Sequence, residues 1–114
     1  MIDVGDDFYQ RTNAWDQALA SGASVVLICL GTNDAKEEFW VDQLSDPAAS
    51  FLSAYADMIQ QLRQALGDPL IVPIVPIPQV RGGSDWPDPS IINAALPPLV
   101  AQAAAANGLN FSIS

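Results

Sequence analysis

The feature that most constrains this chain is a run of six residues, Val25-Val26-Leu27-Ile28-Cys29-Leu30, apolar at every position and ending abruptly in Gly31-Thr32-Asn33-Asp34. A strand points successive side chains to opposite faces, so a run with no polar member has two apolar faces. Strands of that kind belong to parallel sheets covered by helices on both sides. The flanking segments agree. Thr12 or Asn13 caps a predicted helix through about Ser21, with Trp15, Ala18 and Leu19 on one face and Gly22 as the stop. Asp46-Pro47 reads as an N-cap followed by proline at the first helical position. Phe51, Leu52, Tyr55, Met58, Ile59, Leu62 and Leu66 then recur at spacings of three and four, up to Gly67.

A second β-rich run covers 70–77, but its prolines at 73 and 76 each remove a backbone donor and fit poorly in a fully paired central strand. A Gly-, Pro- and Asp-rich loop follows over 78–89. Ile91, Ile92, Ala95, Leu96, Leu99, Val100 and Ala103 mark a last helix, expected to be interrupted near Pro97-Pro98 and stopped by Asn107-Gly108. Asn110 to Ser114 begins a third strand. Helix and strand alternate, which predicts a three-layer α/β/α arrangement around a parallel sheet with right-handed crossovers. Chemistry in such sheets gathers beyond the carboxyl ends of the strands, here at 31–34 and 78–89.

Composition removes several function classes. Thirteen acidic residues against four basic ones give a net charge of −9, which opposes binding to phosphate backbones or anionic membranes. No apolar run reaches the roughly 18 residues a membrane span needs. The first residues show no basic region followed by an apolar stretch, so they do not read as a signal peptide; the compartment is not legible. Cys29, the only cysteine, sits in the apolar run and is expected to be a buried, inert thiol. There is no histidine at all. Ser-His-Asp and Cys-His relays need an imidazole that takes up a proton near neutrality, and neither can be assembled from these residues. Nor can a His-ligated zinc site, and no cofactor is expected.

The buried run leading into Gly31-Thr32-Asn33-Asp34 resembles the third conserved block, Gly-x-Asn-Asp, of the SGNH/GDSL ester hydrolases. Tyr9, Thr12, Trp15 and Ala18-Leu19 are similar to the helix preceding that block in the carbohydrate-ester-acting members. Ala35-Lys36-Glu37-Glu38-Phe39-Trp40, then Phe51, Tyr55 and Leu62-Arg63, then Pro76-x-Pro78, then Ile91-Ile92-Asn93 with Pro97 resemble the elements that follow it, in order. The resemblance runs from about Gly5 onward. It implies a flavodoxin-like α/β/α fold with about three strands of the sheet present, and a serine ester hydrolase acting on small-molecule or carbohydrate esters. By the same resemblance Asn33 donates to the oxyanion, Gly31 turns the chain beside the substrate, and Asp34 braces the turn. Removing one such donor typically costs about 10²–10³ in rate.

The departures carry equal weight. No Gly-Asp-Ser nucleophile segment occurs: Gly5-Asp6-Asp7 has Asp where Ser would stand and reads as an approach loop to the first helix. No Asp-x-x-His block occurs either. On the resemblance, residues 1–114 are therefore expected to be a partial domain, the middle section of such an enzyme, and inactive alone. Trp40, Gln79 and Trp86 are candidate substrate contacts on loops at the rim, and Arg81 falls there too. Ser84 has no histidine to activate it, and the adjacent pair Glu37-Glu38 points two ways from a turn. Two other readings remain in play: a non-catalytic α/β module that binds a ligand or partner, and, more weakly, a flavodoxin-like regulatory domain. An apolar edge strand also predicts self-association through that edge.

Overall fold

The computed structural model describes residues 9–42, 44–80 and 87–109. A single 3₁₀ turn, Tyr9–Arg11, leads into α1 (Asn13–Leu19), followed by β1 (Val25–Ile28), the short α2 (Glu37–Trp40), α3 (Pro47–Leu66), β2 (Leu70–Pro73) and, after a wide π-type turn at Ile91–Ala95, α4 (Leu96–Ala106). The two strands pair in parallel, Val25 beside Leu70 through Ile28 beside Pro73, with α3 as the crossover. This is the α/β arrangement the alternation predicts, with two strands among the described residues. The third expected strand, Asn110 to Ser114, lies outside them.

Local chemistry sets the boundaries. Thr12 caps α1, its hydroxyl accepting from the Trp15 amide at 3.2 Å and donating to the Tyr9 carbonyl at 2.6 Å. Asp46 caps α3 by accepting from the Ala49 amide at 3.1 Å, with Pro47 in the first turn where no donor is needed. Gly67 ends α3 at φ 81°, a left-handed value. β2 stops at Pro73, four residues short of the apolar run's end; one further bond, Ile74 N–H to the Ile28 carbonyl at 2.8 Å, closes the ladder, and Pro76, the next position whose donor would face β1, has none to extend it.

The prolines at 97 and 98 do not interrupt the last helix as expected. They occupy its first turn, and the irregularity precedes them, where the Leu96 amide reaches back five residues to the Ile91 carbonyl. Neither proline has an N–H for the usual four-residue bond, so the chain widens into a π-type turn just before a new α-helical start.

The core lies on one face of the sheet. Phe51, Tyr55, Met58, Ile59 and Leu62 of α3 are buried against Ile28 and Ile71, with Leu96, Val100 and Ala103 of α4 closing the cluster. Trp15 joins it from α1 and donates from its indole to Gln61 at 3.2 Å. The opposite face is open along β1: Val25 is 54 % exposed, Leu27 63 % and Leu70, the neighbour of Val25, 52 %. Cys29 is exposed as well, contrary to the expectation of a buried thiol. Its position follows the strand alternation, which sends residues 25, 27 and 29 outward and Val26 and Ile28 toward the helices. No helix among the described residues is long and apolar enough to cross a membrane.

Candidate active site

The turn after β1 is held from three sides. Gly31 has φ 121°, a conformation essentially closed to residues with a Cβ. A Cβ there would lie 3.1 Å from the Phe51 ring and 3.3 Å from the Leu96 side chain, both fully buried. Glycine is therefore required twice over, by the backbone angle and by the space. The turn closes on itself with Ala35 N–H to the Gly31 carbonyl at 3.1 Å and Lys36 N–H to the Asn33 carbonyl at 3.3 Å. A third bond, Asp88 N–H to the Ala35 carbonyl at 2.9 Å, ties it to the loop before the last helix. Ala35 is wholly buried and Asp34 3 % exposed.

Asn33 is the exception. It is the exposed residue at the crest of this turn. Its side-chain amide takes part in no hydrogen bond among the described residues. Turn asparagines commonly bond their own backbone, and this one does not. Asn33 lines a concavity of about 220 Å³ together with Tyr9, Cys29, Leu30, Gly31, Thr32 and Asp34. A neutral amide anchored by a rigid turn at the mouth of a cleft is suited to receive a developing negative charge.

Of the other candidates, neither Trp40 nor Gln79 lines this cleft. Trp40 is 8 % exposed and its ring packs against Phe51, with centroids 6.2 Å apart, so it belongs to the core and not to the rim. Gln79 is half-buried, and its backbone is clasped by the Asn93 side chain, which accepts from the Gln79 amide at 2.8 Å and donates to its carbonyl at 2.6 Å. Trp86, Arg81 and Ser84 lie outside the described residues, as does Gly5-Asp6-Asp7. Conversely, Tyr9 and Cys29 line the cleft although the sequence did not single them out for it. Tyr9 is fixed by an edge-to-face contact with Trp15, centroids 5.6 Å apart, and by the Thr12 bonds to its carbonyl. The strand's period of two was the available signal for Cys29, since it puts that residue on the face opposite Ile28.

Tyr55 is fully buried, and its hydroxyl has no hydrogen-bond partner among the described residues. Burial, with a smaller contribution from the Cys29 thiolate, holds its ionisation well above the usual tyrosine range. It is a neutral core residue.

The model of the GDSL-like Lipase/Acylhydrolase family matches residues 4–112. The chain belongs to that family. Among curated proteins, this GDSL-like chain is 39 % identical over 69 residues to an acetylxylan esterase of Xylanibacter ruminicola. The match covers 60 % of the present chain and 13 % of the esterase. No solved structure matches it. The family assignment agrees with the α/β fold and with the block 25–34 that leads into Gly31-Thr32-Asn33-Asp34.

Proposed function

We propose that this chain supplies the oxyanion-stabilising part of an ester hydrolase that removes acyl groups, acetyl foremost, from carbohydrate esters. The observation that carries the reading is Asn33: an exposed residue whose side-chain amide has no hydrogen-bond partner among the described residues, on a turn closed by backbone hydrogen bonds, lining a cleft at the carboxyl end of a parallel strand. Membership in the GDSL-like family supports acyl transfer, and the acetylxylan esterase relative supports an acetylated sugar as substrate.

The chain has no histidine, so the general base that would activate a serine comes from outside these 114 residues. In that arrangement the attacking serine and its base generate the tetrahedral intermediate, and the Asn33 amide donates to its oxyanion. The amide gains little from the ground-state carbonyl and more from the charged intermediate, so its contribution appears in kcat.

The test uses both the 114-residue chain and the protein encoded by its complete reading frame. The chain alone is expected to give no turnover of p-nitrophenyl acetate and no covalent fluorophosphonate label. The complete protein is expected to deacetylate acetylated xylo-oligosaccharides, and Asn33→Ala to lower kcat by about 10²–10³ with KM little changed. Turnover by the chain alone, or an Asn33→Ala enzyme with wild-type kcat, overturns the proposal.

A further inference from the structure

We propose, resting on the esterase reading above, that Gln79 is a specificity-determining contact for the sugar part of the ester and that Asn93 is the positioning residue that presents it. The segment after β2 needs such support. β2 ends at Pro73 and the Ile74 amide makes the last bond to β1, so the backbone beyond has no strand to pair with among the described residues. At Gln79 a side chain takes the strand's place. The Asn93 side-chain oxygen accepts from the Gln79 amide at 2.8 Å, and its nitrogen donates to the Gln79 carbonyl at 2.6 Å. A carboxamide can do both at once, as a neighbouring peptide unit would, whereas a carboxylate could only accept. Asn93 itself is carried by the wide turn Ile91–Ala95, which the buried Ile91 and Ile92 anchor in the core.

The same short stretch reaches the oxyanion turn. The Asp88 amide donates to the Ala35 carbonyl at 2.9 Å, and the Asp88 carbonyl accepts from the Ile91 and Ile92 amides at 3.0 and 2.9 Å. Residues 88–93 therefore hold Gln79 at one end and the turn carrying Asn33 at the other. Both held segments lie beyond the carboxyl ends of two adjacent parallel strands, where ligands of such sheets bind. The two amides also share a pattern, each standing on backbone fixed by hydrogen bonds. The Asn33 side chain makes no bond among the described residues, and that of Gln79 makes one, at 3.5 Å to the Ile77 carbonyl, too long to hold it firmly. Gln79 does not line the concavity at Asn33, so on the esterase reading it falls to the alcohol side of the ester and not to the reacting carbonyl. A sugar hydroxyl both donates and accepts, and a neutral carboxamide with both capacities spare matches it.

The test compares the complete protein on acetylated xylo-oligosaccharides and on p-nitrophenyl acetate, which has no sugar. Gln79→Ala is expected to raise KM for the oligosaccharides about three- to ten-fold, with far less change in kcat and in the constants for p-nitrophenyl acetate. Asn93→Ala should raise the same KM by a similar factor. In a Gln79→Ala background it should add little, because it acts through Gln79. A second readout is independent of turnover: hydrogen–deuterium exchange of the peptide carrying Gln79 should speed up in Asn93→Ala and not in Gln79→Ala, which keeps the backbone clasp. An unchanged oligosaccharide KM in Gln79→Ala makes Gln79 a solvated surface residue and overturns the proposal. So do equal losses on both substrates, additive losses at the two positions, or unchanged exchange in Asn93→Ala. A wild-type protein that leaves the oligosaccharides acetylated instead overturns the esterase reading, and this assignment with it, whatever the variants do.

Discussion

Leu27 and Ile28 are adjacent in the chain, yet one is 63 % exposed and the other 3 %. The contrast extends from the pair to two regions of β1. At the carboxyl end the chain makes a turn in which Gly31, Asp34 and Ala35 are buried, backed by Phe51 and Leu96, while Asn33 is exposed. Along the strand's outward face and edge, Val25, Leu27 and Cys29 are apolar and uncovered. One region spends a rigid scaffold on positioning a single polar group. The other presents main-chain groups and apolar surface with nothing polar to aim. Position in a buried turn suits chemistry on a small substrate, whereas an apolar face that the described residues leave uncovered suits packing against another segment.

The sharpest way to break this comparison is at Gly31. Gly31→Ala places a Cβ against Phe51 and Leu96 and forces a side chain into a left-handed φ. Strain of about 1–3 kcal/mol and overpacking of similar size together predict a loss of about 2–6 kcal/mol, read from the urea midpoint. A loss below about 1 kcal/mol would mean the turn relaxes, and Asn33 would then be less well positioned than its surroundings suggest.

Tyr55→Phe gives a smaller effect of opposite sign. The hydroxyl is buried without a partner among the described residues, so deleting it should raise stability by about 1 kcal/mol. The raised ionisation of Tyr55 adds a pH signature. Below the unfolded value near 10 the neutral form is held in both states and the variant's advantage is constant. Above it the unfolded wild type ionises first and loses stability as the pH rises, a loss that Phe lacks. Leu27→Thr, one position from Ile28 but on the open face, should change the stability of the dilute monomer by no more than about 0.5 kcal/mol. Equal losses at Gly31 and Leu27 would erase the distinction between the two regions.

Much of the positioning machinery was legible before the structure. The caps Thr12 and Asp46, the apolar stripe of α3 and the Gly31 turn follow from local rules, because capping and helical periodicity are decided within a few residues. What escaped was what depends on layers. Six apolar residues in a row imply two covered faces, yet the described helices cover one, so Cys29 and Leu27 are exposed against expectation. Trp40 read as a cleft residue because aromatic residues on loops look alike in sequence; only packing on Phe51 places it in the core. The prolines at 97 and 98 looked like breaks, but a helix's first turn needs no donors, and the strain moved to the π-type turn before them.

The smallest expected effect lies at Asp88, which links the two elements behind the cleft. Its amide holds the turn through the Ala35 carbonyl, while its carbonyl and carboxylate organise the start of the last helix, which carries Leu96 against Gly31. The carboxylate accepts from the Ser90 hydroxyl at 2.5 Å and the Ser90 amide at 2.8 Å. These bonds, the hydroxyl's foremost, hold the Asp88 carboxyl below the usual aspartate range. A depressed carboxyl contributes stability that is complete above the unfolded value near 3.9 and is lost as the pH falls through the folded one. Asp88→Asn keeps an acceptor oxygen but cannot titrate. Its thermal midpoint should therefore lie slightly below wild type near neutrality and converge with it under acid conditions, and carbon-detected NMR titration of the wild-type carboxyl should give a midpoint below 3.9. Because the carboxylate faces solvent, the difference should be small. A large loss at neutral pH would instead show that the Asp88 side chain, and not only its amide, holds the turn that presents Asn33.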